Sequence, residues 1–164
     1  MPRQAIWDSM LDADMNVRYW GYLGRRYYAL DKYSKIFLAV MSSGTVASWG
    51  IWTDIDILWK VLSGISALIA ISLPILNFQR QIELVTAQRR EWVYLKNEYD
   101  NLWLILTAKA AEEVVKEYKK LKTREITTTK DESKLPHDEK LLNKCYQEVL
   151  VSRGLGSLTL RGKE

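Results

Sequence analysis

The run VLSGISALIAISLPILNFQ, residues 61–79, contains no Asp, Glu, Lys or Arg, and its reading decides the fold. Val61, Leu62, Ile65, Leu68, Ile69, Ile71, Leu73, Ile75, Leu76 and Phe78 are strongly apolar. Together they are worth about -3 to -6 kcal/mol of bilayer insertion energy. The run therefore predicts a transmembrane helix, in which Pro74 is tolerated. A second uncharged run, residues 36–53, precedes it. As a helix, Ile36 to Trp52 is about 25 Å long against a hydrocarbon core of about 30 Å. Its apolar residues supply only about -3 kcal/mol, which Ser42, Ser43, Gly44, Thr45 and Ser48 erode. Alone it is marginal, so the two runs are expected to insert together as a hairpin around a short acidic loop, residues 54–60, with Thr53 or Asp54 capping the second helix.

Basic residues orient the pair. Arg18, Arg25, Arg26, Lys32 and Lys35 precede the first run, and Arg80, Arg89, Arg90 and Lys96 follow the second, whereas Lys60 alone sits by the loop. Both termini are expected on the cytoplasmic side of the membrane. Met1 to Lys35 carries Asp8, Asp12 and Asp14 and has no apolar core, which is unlike a signal peptide.

With 164 residues, 48% hydrophobic and 27% charged, the chain suits one compact domain and excludes a disordered or collagen-like one. The formal charge of +4 is spread among interleaved acidic residues rather than gathered in a stripe, which argues against direct nucleic-acid binding. Cys145 and His137 are the only residues of their kinds, so an intrachain disulfide is excluded and no metal or other cofactor is expected.

Helical periodicity extends on both sides of the hairpin. Residues 1–35 read as an amphipathic helix whose apolar positions include Ile6, Met10, Ala13, Trp20, Leu23 and Tyr27, with Gly21 and Gly24 weakening its middle. Residues 80–123 lack Pro and Gly, and Val85, Trp92, Tyr99 and Leu106 repeat at seven with Leu95 and Leu102 interposed. That pattern predicts one helix, about 65 Å long if unbroken. The β-branched run from Ile126 to Thr129 and the sequence to Pro136 read as a linker, residues 124–136. A last amphipathic helix and loose tail fill residues 137–164, with Leu141, Leu142, Cys145, Val149 and Leu150 on its apolar side and Gly154 and Gly156 ending it. The class expected is all-α: a two-helix transmembrane hairpin continued by a cytoplasmic helical bundle or coiled coil. Trp20, Tyr27, Val85, Trp92, Tyr99 and Leu102 are its expected packing residues.

Chemistry-bearing motifs are scarce. No Walker loop, GxGxxG, GxSxG, HExxH or CxxC pattern occurs, so an enzyme is not expected. His137 beside Pro136 reads as a helix-start residue, and Cys145 as a buried thiol. The aromatic load, 7 Trp and 9 Tyr, recurs at helical spacing, which favours packing and headgroup anchoring over base stacking. In the apolar runs, Ser43 and Ala47, Gly44 and Ser48, Ser63 and Ala67, and Ser66 and Ala70 are small pairs four apart, the spacing that lets helices approach closely in lipid. A hairpin has few internal partners for them, so a homo-oligomer is expected. Ser42, Ser43, Gly44, Ala47, Ser48, Ser63, Gly64, Ser66, Ala67, Ala70 and Ser72 are the candidate interface or pore-lining residues.

The layout, with Asp14, Asn16, Arg18, Arg25 and Arg26 before the hairpin and Arg89, Arg90 and Tyr99 after it, resembles the SLATT family of bacterial two-transmembrane effectors over Ile6 to Leu106. The resemblance implies a membrane-disrupting oligomer in antiphage defence, triggered by a separately encoded sensor or nuclease. The membrane accessory proteins of type VI CRISPR systems have a similar layout, but their HEPN-like Arg and His motif has no match around His137. The reading is thus an oligomeric inner-membrane protein that forms a pore or perturbs the bilayer. A membrane-anchored scaffold recruiting a cytoplasmic partner, and a soluble bundle with an unusually apolar hairpin, are the alternatives.

Overall fold

The computed structural model describes residues 2–42, 56–108, 110–132, 135 and 137–155. These form helices α1 (Pro2–Ser42), α2 (Asp56–Leu76), α3 (Phe78–Leu104), α4 (Ala111–Glu132) and α5 (Glu139–Ser152), with no strand among the described residues. The class is all-α. The chain divides into two compact units, Met1–Leu23 with Val85–Glu164, and Gly24–Leu84.

The first unit is a helical bundle with its own core. Its α1 segment buries Ile6, Met10, Ala13, Trp20 and Leu23, which recur at three and four residues as one helical face requires. From α3, Val85, Gln88, Trp92, Leu95, Tyr99 and Leu102 are buried, a heptad seam. The pairs run antiparallel. Trp7 packs against Trp103 with the rings tilted and 5.2 Å between centroids, while the Arg89 guanidinium lies over α1 at Gly21. A Cβ at Gly21 would meet Arg89 Nε at 3.3 Å, so a side chain there would push the guanidinium aside by a few tenths of an ångström. Helix α1 continues through both Gly21 and Gly24.

Two expectations fail in this unit. The helix expected over 80–123 stops at Leu104. Ile105–Ala108 form turns, in which Ala108 N donates to Ile105 O at 3.0 Å, and α4 then runs back along α3. The reversal follows from the pairing of Arg124 with Glu91, Tyr99 with Glu125 and Gln88 with Thr128. The segment expected as a linker over 124–136 is helical as far as Glu132. Its threonines are accommodated by donating back along the helix, Thr127 Oγ1 to Thr123 O at 3.2 Å and Thr129 Oγ1 to Glu125 O at 2.9 Å.

Helix α5 closes the bundle. Asp138 caps it by accepting from Leu141 N at 3.1 Å, and Cys145, Val149 and Leu150 are buried. Burial pushes the Cys145 thiol above its ordinary pKa, and the nearby Glu148 charge adds to the effect. An ion network ties α5 to α1 and α3. Arg153 Nη2 lies 3.5 Å from Asp14 and 3.6 Å from Asp100, and Arg18 Nε 3.4 Å from Asp14. Tyr22 Oη donates to both Glu148 oxygens at 3.1 Å.

The second unit, Gly24–Leu84, is built differently, because none of its described side chains is buried. Within it Tyr27 faces Phe78 at 6.4 Å. At the junction of α2 and α3, Asn77 takes a positive φ of 41°, which Asn tolerates better than most residues, and its Oδ1 accepts from Arg80 N at 3.3 Å to cap α3.

Candidate functional site

Helix α2 presents three faces, set by the spacing of its residues. Leu62, Ser66, Ile69 and Leu73 are half-buried. Val61, Ile65, Leu68 and Ile75 form a bulky exposed face, with Leu68 68% and Ile75 77% exposed. Ser63, Ala67 and Ala70, at i, i+4 and i+7, form a small-residue face that is also exposed. Gly64 falls outside that small face, with open space where a Cβ would stand. A helix apolar on every side is ordinarily enclosed by protein or by lipid.

Ser66 Oγ donates to Leu62 O at 2.8 Å and Ser72 Oγ to Leu68 O at 2.7 Å. Both hydroxyls are therefore satisfied by their own helix, which lowers their cost in an apolar medium and leaves them poorer candidates for bonds to another helix. On α1, Ser42 is exposed and donates to Ala39 O at 3.1 Å. Ser43, Gly44, Ala47 and Ser48 lie outside the described residues, as do the expected caps Thr53 and Asp54. Among the described residues no single helix is long and apolar enough to cross a membrane. The stretch Lys60–Leu76 with Phe78–Leu104, bent by 44°, reaches that length and apolarity as a pair.

Of the packing residues, Trp20, Val85, Trp92, Tyr99 and Leu102 are buried in the bundle and Tyr27 is half-buried in the other unit. What the apolar pattern did not reveal is a polar seam along α4. Val114, Tyr118, Leu121, Glu125, Thr128 and Glu132 alternate at four and three residues, so they share the face turned to the core. Tyr99 Oη donates to Glu125 at 2.6 Å, and Lys122 Nζ lies 2.6 Å from the same carboxylate. Burial, and then the hydrogen bond to Glu125, push the Tyr99 phenol well above its ordinary pKa. Tyr118 Oη and Ser9 Oγ are 3.3 Å apart.

At the end of the seam Glu132 Oε1 accepts from Trp20 Nε1 at 3.1 Å, from Gln88 Nε2 at 3.0 Å and from Trp92 Nε1. Glu132 also lines an open cleft of about 430 Å³ with Met15, Asn16, Tyr19, Trp20, Thr129, Leu135, His137 and Leu142. His137 is exposed there, its ring 6.4 Å from that of Tyr19. A spacing signal for the seam exists in the sequence, but only when Glu and Thr are counted as core residues.

Asp14 and Arg18, which carry part of the family resemblance, belong to the ion network that joins α1 to α5, and Arg89 lies over Gly21. No group of three or more His, Cys, Asp or Glu side chains is placed to hold a metal ion among the described residues. No protein-family profile, curated protein or solved structure matches the chain.

Proposed function

We propose that this chain is an oligomeric integral protein of a bacterial inner membrane that forms a pore in the bilayer or perturbs it, as an effector or accessory in antiphage defence. The observation that carries the reading is α2, apolar on all three faces, in a unit where no described side chain is buried. Ile57, Leu68, Ile71 and Ile75 would each gain about 1.5–3 kcal/mol on leaving water. A bilayer supplies that medium, with residues 36–53 and 61–79 crossing as a hairpin.

In lipid the bulky face meets acyl chains, and the small face of Ser63, Ala67 and Ala70 is left for a second copy of the hairpin. The basic residues before and after the hairpin favour cytoplasmic termini. The defence role rests on the resemblance of the layout to that of the SLATT family, and the trigger then comes from a separately encoded partner.

Dye release from liposomes containing the purified chain, with inner-membrane potential followed during overproduction, tests the reading. Leakage and depolarisation are the expected outcomes. A sealed bilayer under both conditions, with a protein co-purifying through α3 and α4, would replace it with the membrane-anchored scaffold, a reading favoured by the bundle's own core and by the exposed Tyr146 and Val151 on α5.

A further inference from the structure

The cleft beside Glu132 has no part in membrane insertion, and its chemistry is specific. Three N–H groups, from Trp20, Gln88 and Trp92, converge on Glu132 Oε1. All three donors are neutral. They fix the carboxylate's position without cancelling its charge, and no Lys, Arg or His forms an ion pair with it among the described residues. The other oxygen, Oε2, accepts none of these three bonds, and the side chain is half-buried where it lines the cleft.

A carboxylate already held in one rotamer loses little freedom on binding a cation. Beside apolar walls its attraction for that cation is stronger than in bulk water. Met15, Tyr19, Leu135 and Leu142 supply such walls, and the volume of about 430 Å³ lies within the range of about 300–1,000 Å³ usual for small-molecule sites. Among the described residues Glu132 is the only carboxylate in the lining, which suits a ligand with one positive charge rather than a polyamine.

We infer that the cleft binds a small organic cation, an apolar or aromatic body bearing a single ammonium or guanidinium group that pairs with Glu132 Oε2. The site lies wholly within the bundle and stands whether or not the membrane reading does.

Phenethylamine and its neutral isostere 2-phenylethanol are the probes, titrated into the full chain in detergent micelles while the indole N–H resonances of its tryptophans are followed. Phenethylamine should shift Trp20 and Trp92 saturably and leave Trp7 and Trp103 in place, with 2-phenylethanol at least tenfold weaker. Glu132→Gln keeps an oxygen for the indoles and loses the charge, so it should weaken phenethylamine at least tenfold. If that variant does not fold, the comparison of the two probes on the unaltered chain decides alone. Equal affinity for both probes, shifts spread evenly over Trp7, Trp20, Trp92 and Trp103, or saturation by a lysine-rich peptide but not by phenethylamine would overturn the inference.

Discussion

Glu132, the last residue of α4, accepts a hydrogen bond from the Trp92 indole in the middle of α3, and the same oxygen accepts one from Trp20 of α1. One carboxylate thereby joins three helices. Glu132→Ala leaves two indole N–H groups and the Gln88 amide without that acceptor, at an expected cost of about 2–4 kcal/mol. Glu132→Gln, which keeps the acceptor, should cost about 1 kcal/mol. Denaturant unfolding of the full chain, followed by tryptophan fluorescence, measures both. Equal losses would mean that the charge rather than the acceptor holds the helices.

Thr127 lies within α4, exposed, where the sequence pattern suggested a linker. Proline there removes a helical N–H and clashes with the preceding turn. Thr127→Pro should therefore destabilise the bundle by about 3 kcal/mol, whereas Thr127→Ala should change it by less than about 0.5 kcal/mol. A proline variant as stable as the parent would restore the linker.

Cys145 is buried and its thiol pKa lies above the ordinary 9.0. Alkylation of the folded chain at pH 8 should be far slower than that of a denatured control. The folded state holds the thiol proton more tightly than the unfolded state does. The stability this contributes is complete below pH 9 and is lost as pH rises through the folded pKa. Cys145→Ala should abolish that alkaline loss, a comparison that unfolding curves between pH 8 and 10.5 provide.

Ala67 and Leu68 are neighbours on α2 but occupy different faces, one small and one bulky. Ala67→Phe should weaken self-association at least tenfold in native mass measurements in detergent. Leu68→Phe, on the face proposed to meet lipid, should leave association within about twofold, because an apolar exchange there would change no helix contact. The opposite ranking would move the interface to the bulky face, and a monomeric parent would remove the oligomer altogether.

The sequence alone determined the helical class and much of the core, because apolar residues at three- and four-residue spacing are a local property of one helix. Val85, Trp92, Leu95, Tyr99 and Leu102 could be read as one stripe, and they are buried as one. The reversal after Leu104 is different. No Pro or Gly marks Ile105 to Ala110, so nothing local stops the helix. What fixes the turn is the gain from laying α4 along α3, through partners as far apart as Gln88 and Thr128. The polar seam was hidden for the same reason. Tyr118, Glu125 and Glu132 look like solvent-facing residues until Ser9, Tyr99, Trp20 and Trp92 arrive from other helices to satisfy them. Burying a polar group is unfavourable until its partners are present, and only the tertiary structure brings them.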